Sequence, residues 1–536
     1  MTMQPGVAPA DQAAQDDAHL RSLGIAPELK RSLGFLSNFA VAFSYISVST
    51  GTYTLIALGL LAGGPAFFWS WPLVIIGQLF IAINFAELAS HFPVAGSIYQ
   101  WSKRLSNRTL GWFTGWFYFW AGVITVTSVA ATVPLVLGSI LGVNGATTYG
   151  PLTWNTWVAL AVLVITTIIN AYGIRLLSIL NNIGVAAEIL GMLVFGLILL
   201  IFYNHQPLSI LTTTAGTEST TGGNYLPVFA VAAFMSLFVV YGFDTAGTFG
   251  EETVGASRHA PRGILSAIIV SGIIGGVFLL AIILSTKDIT GEIAAATAYY
   301  AGTGGSNPIA DAIVGNMGAD LGNIYLVVIL AAVFVCTLAI QGATTRLMFS
   351  MGRDRRMPGG SLWGKVSPSF RTPANAAIAV GVLAAIPMLI SSSAGIIAIA
   401  ATGTIYLSYF LCNIGVLVAR LRGWPHQKAA FNLGGWGMVV NILGLIYGGV
   451  MLVNFALWQY GAFGDWGNAL RANTNPTIDS LSIFGISLSS LPQLPLYETF
   501  LALILVVGVV YYAVALRGHM GTREAADTAT GETAIA

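Results

Sequence analysis

Stretches of about 20 mainly apolar residues, each able to cross a bilayer as one helix, follow one another from residue 35 to residue 516. They fall at 35–61, 66–88, 109–135, 154–173, 177–202, 226–248, 263–286, 321–349, 375–392, 395–420, 433–458 and 497–516. Lipid offers no hydrogen bonds, so each segment must satisfy its own backbone. The pattern therefore predicts an all-α membrane protein of twelve transmembrane helices. Charge agrees, because only 8% of residues are charged, against about a quarter in soluble domains. Two longer connections, 287–320 and 459–496, are rich in Gly, Asn, Ser and Thr and read as loops.

Lys and Arg set the orientation. Of the 22, all but Lys287 and Arg471 fall on one side when the N-terminus is placed inside and the spans number twelve. Both termini are thus expected in the cytoplasm, with tails at 1–33 and 517–536, in a cell (inner or plasma) membrane. The polar start of the chain lacks the basic and apolar regions of a cleaved signal, so the first span is expected to direct insertion. A net charge of +1 implies no nucleic-acid partner. Cys336 and Cys412 sit inside apolar stretches and read as small core residues. The six histidines all fall in loops or tails, which argues against a histidine proton relay. There is no metal-ligand spacing and no Gly-rich Lys-Ser/Thr nucleotide loop, so no cofactor, metal or ATP-driven step is expected.

Two spans are interrupted. Span 1 contains Ser44-Tyr45-Ile46-Ser47-Val48-Ser49-Thr50-Gly51-Thr52-Tyr53, and span 6 contains Tyr241-Gly242-Phe243-Asp244-Thr245-Ala246-Gly247. Glycines and an aspartate are poor components of an isolated apolar helix. Irregular backbone at membrane depth is tolerated where it is buried in protein or lines a cavity. Five spans precede the second break, so the breaks hold matching places in two groups of five. An odd number of spans per group inverts the second group, and such paired breaks point to a transporter site. Amide groups at a half-helix start suit a carboxylate, and carbonyls at the opposite end suit an ammonium. Close packing of small residues is the competing explanation for the glycines.

These residues resemble the amino acid–polyamine–organocation permeases, and within them the amino acid/choline branch with its GABA and choline permeases. Four passages carry the likeness: Ser44 to Gly51 with Gly59, Gly63, Gly64 and Pro65; Ala86 to Trp101; Gly242 to Glu252 with Ala256-Ser257-Arg258 and Ala260-Pro261-Arg262; and Thr345-Arg346 with Gly352 to Pro358. The resemblance implies a leucine-transporter-type five-plus-five inverted repeat, here 34–202 and 226–420, with two further helices at 433–516. It also implies alternating access driven by a proton or sodium gradient.

Ser49, Thr50 and Gly51, flanked by Tyr45, Ile46 and Ser47, are the candidates for a substrate carboxylate. The alternative for the serines is bonding back to the preceding helical turn. The carbonyls of Tyr241, Gly242 and Phe243 are the candidates for the ammonium. Asp244 either balances that charge or holds the unwound backbone. Aromatic residues in spans more often pack, which is the expectation for Trp112, Trp116 and Trp120.

Glu188, deep in span 5, is the candidate coupling residue. An acid at that depth costs roughly 2.5 kcal/mol or more when ionised, which suits a carrier of protons or a ligand for sodium. Proton-coupled relatives place a lysine after a similar Asn-Asn run, so the reversed charge here alters their mechanism. Glu251, Glu252, Arg258 and Arg262 are expected to form a cytoplasmic gate, with Glu87 pairing to Arg262 or Arg346. A solvated loop with ordinary cytoplasmic basic charge is the alternative.

The resulting expectation is a secondary transporter importing a small or GABA-like amino acid by proton symport. A choline or polyamine permease on the same scaffold is the alternative, and a transporter-like nutrient receptor a more distant one. An enzyme is not expected, because no nucleophile–base pair is present.

Overall fold

In the computed structural model the residues described are 9–300, 304–390, 393–457, 477–480, 482–483, 486–487, 489–490 and 492–516. Arg471, His519, Arg517, Arg523 and the expected tail 517–536 lie outside them, as does most of the loop 459–496. Among the described residues, ten helical segments are long and apolar enough to cross a membrane. Two shorter apolar helices, Tyr225–Val239 and Ala374–Leu389, bring the total to twelve. All twelve fall where the apolar pattern put them. Among the described residues the strands form two short hairpins, Thr148–Tyr149 with Leu152–Thr153 and Ser482–Ile483 with Ile486–Ser487.

Span 1 is two helices, α2 (Phe35–Ile46) and α3 (Val48–Gly63). Spans 2 to 5 are α4 (Ser70–His91), α6 (Arg108–Leu141), α7 (Trp154–Tyr172) and α8 (Ile174–Phe202), with the short α5 (Ser97–Leu105) between α4 and α6. Span 6 is α9 (Tyr225–Ala232), α10 (Phe234–Val239) and, after a gap, α11 (Thr245–Thr248). Spans 7 to 10 are α12 (Ala256–Ser285), α14 (Pro308–Arg353), α16 (Ala374–Ile390) and α17 (Ala394–Leu421). The connection 287–320, expected as a loop, instead carries α13 (Ile289–Tyr300), and α14 already starts at Pro308 before a kink at Gly318. Asn307 caps that start and Pro308 has no N–H to lose there, so a polar sequence begins the helix well outside the apolar run. A short helix thus follows the second span of each five, α5 in the first group and α13 in the second. The small α15 (Gly360–Trp363) precedes α16, and α18 (Gly437–Leu457) and α19 (Leu496–Tyr511) complete the order.

Within the N-terminal tail, Pro9–Ser22 forms α1, and Leu20, Ile25, Leu29 and Leu33 are buried.

Burial locates the centre. The apolar window of span 1 is 94% buried, whereas those of α18 and α19 are 22% and 17% buried. Span 1 is therefore enclosed by other helices, and the last two spans form the rim. The two breaks touch. Gly242 has φ 90°, and a Cβ there would lie 1.9 Å from Tyr45 Cδ1; a Cβ on Gly51 would lie 2.7 Å from Val239 Cγ2. Only glycine permits both the left-handed turn and the approach at 242.

Gly242→Val is accordingly expected to insert normally yet abolish transport. Gly242→Ala should lower the thermal midpoint in detergent, since the left-handed conformation alone costs a side chain roughly 1–2 kcal/mol. Wild-type uptake by Gly242→Val would show that the contact between the breaks is dispensable.

Candidate functional site

The first break is one residue wide. Ser47 adopts φ 32° and ψ 86°, its N–H closing α2 on the Phe43 carbonyl at 2.8 Å. The helix α3 then starts afresh, with first-turn amides that have no partner of their own. Glu188 supplies one from 139 residues away. Its Oε1 accepts from the Ser49 N–H at 3.0 Å, the Ser49 hydroxyl at 2.6 Å and the Ser47 hydroxyl at 2.9 Å. The hydroxyls of Ser47 and Thr50 are 2.6 Å apart. A carboxylate from span 5 therefore caps a half-helix of span 1, where the helix dipole favours negative charge. Glu188 is 2% exposed. On the other side, Cys336 of α14 donates its thiol to the Tyr45 carbonyl at 3.5 Å.

The second break covers Val240 to Asp244 and is held by hydroxyls. Tyr409 of α17 donates to Asp244 Oδ1 at 2.6 Å, while its oxygen accepts from the Gly242 N–H at 2.9 Å. Tyr118 of α6 and Ser97 of α5 donate to Asp244 Oδ2 at 2.5 and 3.0 Å. Both oxygens of Asp244 are therefore engaged by hydroxyls from α5, α6 and α17. The Gly242 carbonyl, one of the expected ammonium contacts, accepts from the Thr245 N–H at 3.0 Å. Among the described hydrogen bonds none ends on the carbonyls of Val240, Tyr241 or Phe243.

Tyr45, Ile46, Ser47, Ser49, Thr50, Tyr241, Phe243 and Asp244 are all buried, and the break residues among them converge. The Tyr45 and Tyr241 rings meet edge-on at 6.2 Å, and the Tyr241 and Thr125 hydroxyl oxygens lie 3.3 Å apart. Trp112 and Trp116 stack on each other at 5.3 Å, and Trp116 donates to the Ile504 carbonyl of α19. They form a seam with the rim helix, as the packing expectation held.

The face that carries most of the basic residues is closed by buried ion pairs whose membership differs from expectation. Glu252 takes a two-pronged contact from Arg346 at 2.7 and 3.1 Å, with the guanidinium 4.2 Å over the Phe249 ring. Glu251 takes one from Arg353 at 2.8 and 3.1 Å and accepts from the Ala95 N–H at 2.9 Å. Glu87 pairs neither with Arg262 nor with Arg346. Its partner is Arg420 of α17 at 2.5 Å, and it also accepts from the Leu433 N–H at 2.8 Å. Arg258 and Arg262 are exposed on the first turns of α12 and enter none of these pairs. A helix start repels cations, and their side chains leave toward solvent there. Asp354 accepts from Lys103, Tyr99 and Gln100 at 2.9, 2.8 and 3.1 Å. Burial by itself would raise its pKa, but Lys103 and Arg353 hold it down at about 2.

Arg353, Asp354 and Arg420 were not marked as gate members. Their signal was present as charges at the ends of apolar runs, but only the fold shows which acid each one meets. Among the described residues no cluster of three or more His, Cys, Asp or Glu is arranged to hold a metal.

Comparison with known proteins fits this arrangement. A family profile described as amino acid permease matches residues 33–473. The amino-acid permease BAT1 of Arabidopsis thaliana is 29% identical over 470 residues, covering 82% of this chain and 87% of its own length. Its homolog from Oryza sativa is 30% identical over 473 residues, again covering 82% and 87%. The branched-chain amino acid permease BcaP of Bacillus subtilis is 26% identical over 453 residues, covering 80% and 91%. Both the match over most of its length and the helical architecture place this chain in the amino acid permease family, as a multi-pass membrane transporter and not an enzyme.

Proposed function

We propose that the chain imports an amino acid together with a proton, by alternating exposure of the space between the two breaks. The single observation that carries the reading is the Glu188 carboxylate on the first turn of α3. A substrate carboxylate seeks that same half-helix start. Two anions cannot share it cheaply in a low-dielectric interior. Once Glu188 is protonated, the start of α3 is free to accept the substrate's charge. Proton and carboxylate binding are then linked through one site, and the linkage is reciprocal. The open carbonyls of Val240, Tyr241 and Phe243 suit the ammonium end.

A small or GABA-like amino acid fits a site with both of these ends. The relatives' names add branched-chain amino acids to the candidates. Polyamine transport is less well supported, since it calls for spare deep acids and both Asp244 and Glu188 are bonded within the protein. The recurrence of a short helix after the second span of each five supports the division into repeats at 34–202 and 226–420, with 433–516 added. In this reading the basic face is cytoplasmic, in a cell membrane, and the Glu251 and Glu252 ion pairs form its gate.

The first test is uptake into proteoliposomes of small and branched-chain amino acids, GABA, choline and putrescine, with proton and sodium gradients imposed separately. Proton-driven accumulation of a carboxylate-bearing substrate is expected, and uptake confined to choline or putrescine excludes the reading. Uptake should fall as external pH rises, because the ionised form of Glu188 competes with substrate. Glu188→Gln should retain exchange but lose accumulation and pH dependence, while full accumulation in this variant removes the coupling role. The profile is best recorded with Glu292→Gln as a background. Glu292 lies on α13, where burial with Asp311 and Asp288 nearby pushes its carboxyl up to about 7. The packing of α13 is therefore most favourable at low pH, and weakens as pH rises from 4.5 to about 7.

The gate makes a separate prediction. Arg346→Ala leaves Glu252 buried and unpaired, a change that typically costs about 3–5 kcal/mol. It should lower the thermal midpoint and cut net uptake at least about tenfold. Exposed Arg258→Ala should stay within about twofold of wild type. Equal losses in the two variants count against a gate made of these pairs.

A further inference from the structure

Residues 9–33 fold back across the short stretch that carries both gate acids. The helix α1 presents Gln12, Asp16, His19 and Leu20 on one face, a spacing of three to four residues. Asp16 is 8% exposed and accepts from the Gly255 N–H at 2.7 Å. It thereby caps α12 from 239 residues away. The His19 Nε2 lies 3.2 Å from the His91 carbonyl, and Arg104 donates to the Leu23 carbonyl at 3.0 Å.

Past α1 the chain returns to the same place. Arg31 is paired with Asp17 at 2.8 Å and donates to the Thr253 carbonyl at 2.9 Å. The N–H groups of Ser32 and Leu33 donate to the Glu252 carbonyl at 2.9 and 3.0 Å, and Val254 N–H donates to the Leu33 carbonyl at 2.9 Å. Leu20, Ile25, Leu29 and Leu33 are each no more than 7% exposed. So residues 252–255 are clamped on one side by the N-terminal segment and on the other by the Arg346 and Arg353 pairs of the adjoining acids.

We propose that residues 9–33 are a built-in lid on the basic face, latched by Asp16 and Arg31 to the exit of span 6, that must loosen before this face opens. Gate acids cannot leave Arg346 and Arg353 while the backbone between them and α12 stays bonded to Asp16, Ser32 and Leu33. The lid therefore adds its own contacts to the barrier for opening, without touching the site between the breaks. This rests on the reading that the basic face opens in turn.

The native thiol of Cys336 is a reporter, because it is 2% exposed and lies against the first break. The experiment measures its alkylation by an impermeant maleimide in inside-out vesicles, with Cys412→Ala as background. A chain lacking residues 2–24 should label about fivefold faster or more than the full chain. Asp16→Ala, which keeps the segment but removes one latch, should fall between the two. A shortened chain that inserts and labels at the full-length rate overturns the lid. Should it fail to insert, Asp16→Ala decides by the same measure, and a wild-type rate again overturns it. If the full chain labels slowly and the shortened one quickly, the lid stands whatever the substrate or coupling ion proves to be. If neither labels, opening of this face is what fails, and the lid fails with it.

Discussion

A helix broken in the middle of a membrane leaves amide and carbonyl groups that lipid cannot satisfy, and the whole arrangement follows from how those groups are met. At Ser47 the break is tolerated because Glu188 caps the new helix, and at Gly242 because Tyr409 accepts the freed N–H. Each capping group comes from a different span and is itself buried. The breaks therefore exist only inside a bundle that brings α8, α6 and α17 to the centre. Remove the bundle and the same sequences would have to close into ordinary helices.

Charge is distributed by the same requirement. Ionised groups deep in the protein are confined to places where several donors converge. Asp244 is held by three hydroxyls, Glu251 and Glu252 by guanidinium forks, and Glu87 by one Arg420 nitrogen and the Leu433 N–H. Glu188 differs in that its donors belong to one half-helix start, a position that a small anion could also occupy. That difference sets Glu188 apart from acids whose donors come from several elements of the frame. The ion pairs of the basic face lie between these cases. They are fully bonded here, yet each joins two elements across the face that carries the basic residues, so they can be exchanged for water if those elements part.

The apolar runs located every span, though α14 begins well before its apolar run, because length and hydropathy are local properties that lipid reads directly. The breaks, at Ser47 and at Val240 to Asp244, were legible as the weak stretches around them for the same reason: Ser, Thr and Gly weaken a helix wherever they sit in it. Glu188 and Asp244 stood out as acids at depth. The short helices α1 and α13 were not legible, since neither is long enough to span a membrane and only the neighbours beneath them make folding worthwhile. The ion pairs of the basic face were legible in part. Acids at the end of span 6 were evident, but Arg258 and Arg262, closest in sequence, turned out to face solvent.

Sequence alone determined that this chain crosses a membrane many times as helices, that two of those helices cannot be continuous, and which acids are expensive enough to need a reason. Tertiary structure decided who answers each of them: Glu188 for Ser49, Tyr409 for Gly242, Arg346 for Glu252, and Asp16 for the start of α12. These pairings span between 94 and 239 residues of chain. A hydrogen bond depends on an approach within about 3 Å, and no local pattern encodes which of many distant donors will arrive there. Packing of the whole bundle sets that, and with it the chemistry of the site.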